Sequence, residues 1–228
     1  VSERELRRRA VLAAALPHVP FDGWTDRLLA RAAEDLELDP ADAHRLFPGG
    51  AAELVAFFVA EADRRMAERL AERDPSSSRI RDRIALGVRV RLEEALPHRE
   101  AVRRALAFYA LPRNAAAGVA SLYRTVDAMW RAAGDSATDF NFYTKRALLA
   151  AVYGSTLLAW LDDRSEGCAA TWRFLDRRIE DVMRIQKARA GLAARLPKPE
   201  RAIAALCRIL GAQGDSAPLA GGGRGRVP

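Results

Sequence analysis

Apolar residues in this chain recur every third or fourth position almost from end to end, and prolines and glycines cut that pattern into short lengths. Leu54, Phe57, Phe58, Ala62, Met66 and Leu70 form one such stripe, and Ile80, Ile84, Val88 and Leu92 form another. A spacing of three to four is the signature of an amphipathic helix, and strict alternation, the mark of a half-buried strand, does not occur. Alanine and leucine dominate the 50% of residues that are apolar, and β-branched residues are sparse, which favours helix again. The expected fold class is therefore all-α, a helical bundle of about nine helices plus a C-terminal amphipathic helix.

The punctuation divides the pattern. Helices are predicted over 5–16, 24–36, 40–47, 51–73, 79–96, 98–110, 115–133, 142–161 and 168–189. Pro17 and Pro20 stop the first, Phe21-Asp22-Gly23 is a turn, and Asp39-Pro40 supplies an N-cap and a first helical residue. Asp74-Pro75-Ser76-Ser77-Ser78 marks the boundary between an N-terminal unit, 1–73, and a larger helical domain, 79–189. Beyond Pro197 a short helix over 200–210 places Ile203, Leu206, Cys207 and Leu210 on one face, with Arg201 and Arg208 opposite. That is the make-up of a helix lying in a membrane interface, so Arg201, Ile203, Leu206 and Leu210 are the expected membrane contacts.

Charge is unevenly placed. The formal net charge is +7, yet from Lys187 onward there are eight basic and two acidic residues, which leaves residues 1–186 nearly neutral. Three short helices followed by a long one have the layout of a helix-turn-helix headpiece, as in tetracycline-repressor-type regulators. Residues 21–50, however, carry seven acidic residues against three arginines. Phosphate contacts dominate DNA affinity, so this is a poor reading surface and no nucleic-acid partner is expected.

Little in the chain suggests catalysis. His18, His44 and His98 are the only histidines, and Cys168 and Cys207 have no metal-ligand spacing. There is no phosphate-binding glycine loop, and the paired acids Glu93-Glu94 and Glu180-Asp181 point to different helix faces. No catalytic residue, metal or cofactor is expected. The fifteen uncharged residues 147–161 are too few to span a bilayer and read as a buried central helix.

Two regions do suggest binding. Residues 128–153, AMWRAAGDSATDFNFYTKRALLAAVY, gather Trp130, Phe140, Phe142, Tyr143 and Tyr153 around a glycine turn with interleaved charges. Met129 and Phe142 suit an apolar anchor with Arg146 at its rim, the composition of a protein-binding hot spot. The second is a cavity: Leu106, Phe108, Leu122, Leu148, Val152, Leu157 and Trp160 lie among small residues in the long helices. Those small residues suit either close packing or an apolar pocket, and the sequence leaves both open.

The stretches AALPHVPFDGWT, LFPGGAAELVAFFVAEADRRM, YALPRNAAAGVASLYRTVDAMWRAAGDSATDFNFYTKRALLAAVYGSTLLAW and TWRFLDRRIEDVM together resemble one family. It is that of the lipid-binding accessory proteins of ubiquinone (coenzyme Q) biosynthesis, the ninth of the proteins named for the pathway. The resemblance implies the fold of tetracycline-repressor-type regulators without DNA binding, and a homodimer. It implies a hydrophobic pocket for an isoprenoid quinone precursor or a phospholipid. It further implies a surface patch for the di-iron demethoxyubiquinone hydroxylase. Carried over residue by residue, the patch is Met129, Trp130, Asp139, Phe142, Tyr143 and Arg146. Two positions depart from the family pattern: Phe142 stands where Trp is common, and Ala137-Thr138 replaces Ser-Thr. With no targeting segment at the start, the expectation is a bacterial cytoplasmic member, peripherally associated with the inner membrane.

Overall fold

The computed structural model describes residues 2–72, 79–134 and 141–195, and the side chains of all of these but 141, 142 and 186–195. Ten α-helices occur among the described residues, and no strand. They are α1 (Glu3–Ala15), α2 (Val19–Asp22), α3 (Asp26–Asp35), α4 (Pro40–Leu46), α5 (Gly50–Ala71), α6 (Ile80–Glu94), α7 (Arg99–Ala110), α8 (Ala115–Ala132), α9 (Asn141–Asp162) and α10 (Ala169–Arg195). The all-helical expectation is met. The proposed boundary at 74–78 and the amphipathic segment 200–210 fall outside the described residues.

Local chemistry sets the starts. Ser2, Thr25 and Asp39 each accept a backbone N–H at the head of α1, α3 and α4, as N-caps do. The sequence reading missed α2, a single turn begun with Pro20 near its head and ended at Gly23, whose φ is +64°. It also placed Trp24 inside a helix. Trp24 lies just ahead of the α3 cap instead, stacked on Phe58 with ring centroids 5.1 Å apart and buried.

The tenth helix begins in the compact unit formed by residues 1–181, and residues 182–228 form a second unit. In the first unit, α1, α3 and α4 pack together, α3 rests on α5, and α5 packs along both α6 and α8, with α9 against α8. Leu28, Phe47, Leu54, Val55, Met66, Val88, Leu92 and Val126 fill this core.

The N-terminal helices are tied firmly to the body. Trp24 Nε1 donates to the Ala101 carbonyl of α7 at 3.1 Å, and Arg104 donates to the Pro20 carbonyl at 3.0 Å. The Arg8 guanidinium lies against both Phe47 and Phe57 while bonding Glu53 at 2.8 Å. A buried Trp N–H satisfied across 77 residues of sequence fixes the headpiece to the body.

Candidate functional site

The long helix α5 presents small residues toward α8, and α8 answers in kind. Between them runs a groove of about 510 Å³, lined by Val59, Ala60, Ala67 and Ala71 on one wall and Ala128 and Ala132 on the other. Asp63, Ser121, Arg124, Asp127 and Arg131 complete the lining. Side chains as short as alanine leave the space between helix axes unfilled, so the groove follows directly from residue size.

Two buried charge clusters underlie it. Asp63 on α5 accepts from Arg91 Nε on α6 at 2.8 Å and from the Thr125 hydroxyl on α8 at 2.8 Å. Desolvation pushes the Asp63 carboxyl above its ordinary value, and this outweighs the pull of Arg91 and the Thr125 bond. Tyr153 on α9 is buried within reach of the Arg91 and Asp63 charges, and its phenol is pushed up chiefly by that burial. Asp127 accepts from Arg146 Nε and Nη2 at 2.8 and 2.7 Å and also pairs with Arg131. Burial opposes its ionisation, but the two arginines win and hold its carboxyl below the usual range. The clusters thus bolt α5, α6, α8 and α9 together with charge-assisted bonds.

The patch expected from sequence divides. Met129 is 1% exposed and packs in the core, and Arg146 is 3% exposed, turned inward to Asp127. Neither reaches the surface: the helix that carries Met129 turns that face toward α5 and α6, and a buried Asp127 demands a cation. Trp130 is half-buried, with Lys145 Nζ 5.5 Å from its ring centroid. Tyr143 is 69% exposed. Asp139 and the Phe142 side chain lie outside what is described.

The expected pocket residues are dispersed in burial. Val152, Leu157 and Trp160 are buried, whereas Leu106, Phe108, Leu122 and Leu148 are half-buried. None of the seven lines the α5–α8 groove. Sequence reasoning missed that groove because it sought large apolar residues, and the groove is made by small ones. The signal was present in Ser121 and Thr125, small polar residues one turn apart on a helix face otherwise turned inward. Among the described residues no three His, Cys, Asp or Glu side chains could hold a metal ion.

This arrangement of helices defines an all-α protein with the architecture of TetR-type regulators. The TetR transcriptional regulator from Nitrosomonas europaea ATCC 19718 matches with a TM-score of 0.64, over 77% of this chain and 97% of that one. At 20% identity the likeness is one of fold. Residues 115–186 match the model of the COQ9 family, and similarity to proteins of that name extends well past them. The chain is 38% identical over 193 residues to the human mitochondrial ubiquinone biosynthesis protein COQ9, covering 80% of this chain and 59% of that protein. The corresponding Drosophila melanogaster protein is 33% identical over 183 residues, covering 78% and 56%. The chain thus spans a little under three fifths of the human relative's length.

The expected bacterial, cytoplasmic location is overturned. The curated relatives are named as mitochondrial proteins of eukaryotes. The expectation rested on the first residues of a chain that covers only part of its relatives, and such a start carries no information on a leader.

Proposed function

We propose that this chain is a non-enzymatic, lipid-binding accessory protein of ubiquinone biosynthesis that presents isoprenoid quinone precursors to the demethoxyubiquinone hydroxylase. The observation that carries this reading is the likeness, over 80% of the chain, to proteins named for ubiquinone biosynthesis. The α5–α8 groove supports the lipid half of it. Its volume of about 510 Å³ suits a small-molecule site, and its walls alternate alanines on both helices with Asp63, Arg124, Asp127 and Arg131. An apolar chain would lie along the alanines, and a polar head would meet Arg124 and Arg131.

For the hydroxylase, Trp130 and Tyr143 offer aromatic surface, with Phe142 beside them in sequence. For a second copy of the chain, α9 is apolar on nearly all sides yet leaves Ala147, Ala151 and Leu158 exposed, the pattern of a helix that completes its burial in a homodimer. The tail contacts at Arg201, Ile203, Leu206 and Leu210 would seat the protein on the membrane.

The deciding experiment is mass spectrometry of the organic extract of the purified protein, followed by uptake of an isoprenoid quinone precursor by the delipidated form. Saturable uptake, reduced by Ala67→Trp or Ala128→Trp, is expected. No extracted lipid and no saturable uptake would overturn the lipid-presenting role. In parallel, Phe142→Ala and Tyr143→Ala are expected to weaken capture of the hydroxylase without loss of helicity.

A further inference from the structure

The geometry points to a second membrane contact: the tip of the α7–α8 hairpin is a preformed element that inserts into the interface of an anionic bilayer. This goes beyond the groove and does not depend on it.

From Leu106 to Ala120 no residue is buried, although buried residues flank this stretch on both sides, at Ala105 and Ser121. The end of α7 and the start of α8 therefore stand off the body as a projecting helical hairpin. What they project is apolar. Val119 is 69% exposed and Leu111 and Tyr123 are each 42% exposed, with Ala115, Ala116 and Ala120 between them. An exposed apolar patch of this kind marks an interaction surface.

The charges name the partner. Residues 101–126 contain four arginines, Arg103, Arg104, Arg113 and Arg124, and no aspartate or glutamate. Arg103 and Arg104 are offset by Glu100 and Asp162 at the base of the hairpin. Arg113 at the tip enters no salt bridge among the described residues, whereas Arg124 behind it turns to the α5–α8 groove near Asp63. Apolar side chains bordered only by cations are the composition of an interfacial membrane element facing anionic lipid. Between Leu111 and Tyr123 the exposed surface is mostly alanine with Val119, so it offers little of the bulk that a protein pocket would grip. A soft acyl boundary needs no such anchors.

The hairpin is also rigid before it meets its partner. Asn114 Nδ2 donates to the Phe108 carbonyl at 2.9 Å, tying the turn to the end of α7. A Cβ at Gly118 would lie 2.9 Å from Tyr109 Cβ, so only glycine lets the two helices approach this closely. Insertion therefore costs little conformational entropy.

The test is co-sedimentation of the full-length chain with vesicles of phosphatidylcholine and phosphatidylglycerol, using exposed positions whose substitution leaves melting unchanged. Val119→Asp is expected to lower partitioning about tenfold, the burial of one valine side chain. Arg113→Gln is expected to lower it about fivefold, an effect that disappears on pure phosphatidylcholine. Both losses should persist in a Leu206→Asp background, which weakens the apolar contribution of the tail. Val119→Trp should be quenched by brominated lipid above the wild-type baseline. Partitioning by Val119→Asp equal to wild type, or no added quenching of Val119→Trp, would overturn the proposal. Lipid uptake into the groove can survive either result, so the two readings fail separately.

Discussion

Replacing Arg91 with methionine leaves Asp63 buried and without its cation. Asp63 is held by two bonds of 2.8 Å, one from Arg91 Nε and one from the Thr125 hydroxyl, and only the second survives. Breaking a buried pair from one side costs about 3–5 kcal/mol, because the remaining charge keeps its desolvation penalty and loses its partner. For a chain of this size that corresponds to a fall in melting temperature of about 10 °C. The loss depends on pH with a definite sign. Burial already raises the Asp63 pKa in the folded state. A carboxyl with a raised folded pKa contributes its stability below the unfolded value, about 4, and loses it as pH rises through the folded value. Without Arg91 the folded value moves higher still, so Arg91→Met should be most destabilised at pH 7 and partly rescued at pH 4.5. The double change Asp63→Leu, Arg91→Met should recover much of the loss, since no charge is left stranded. Urea unfolding followed by circular dichroism at the two pH values measures all of this. A loss under about 1 kcal/mol at pH 7, or a double variant no better than the single, would refute a dry and well-paired cluster.

Three further outcomes follow from particular contacts. Asp163 accepts from the backbone N–H and hydroxyl of both Ser165 and Thr171, at 2.6–2.8 Å, just ahead of α10. Desolvation opposes its charge, but these bonds prevail and hold its pKa well below the usual range, so its contribution is present above about pH 4 and fades as pH falls. Asp163→Ala should cost about 2 kcal/mol at pH 7 and less in acid, as read from denaturant midpoints. Gly118→Ala drives a methyl against Tyr109 and should cost about 1–3 kcal/mol, visible as a lower melting temperature. Trp24→Phe keeps the ring stack on Phe58 but leaves the Ala101 carbonyl without its donor, and should cost about 1 kcal/mol, with faster amide exchange in α2 and α3.

The apolar spacing along α5, α6 and α8 was enough to place those helices, because a stripe three or four residues apart has one way to be buried. The cap at Asp39 and the glycine at 134 are local chemistry and were equally legible, whereas the Thr25 cap was passed over because Trp24 reads as part of the apolar stripe. The excess of acid in residues 21–50 needed no structure to weigh against a DNA-reading headpiece. Which neighbour each face meets is another matter. Met129 and Arg146 read as surface residues because a methionine beside aromatics, and an arginine, have no preference written in local spacing. Only the approach of α5, α6 and α9 to α8 buried the one and gave the other Asp127. The pairing of Asp63 with Arg91 and Thr125 joins residues 28 and 62 positions apart, a distance over which periodicity says nothing. The groove and the projecting hairpin are likewise tertiary. Alanine in a sequence means equally a tight contact, an empty space or an exposed face, and the position of the next helix decides among them.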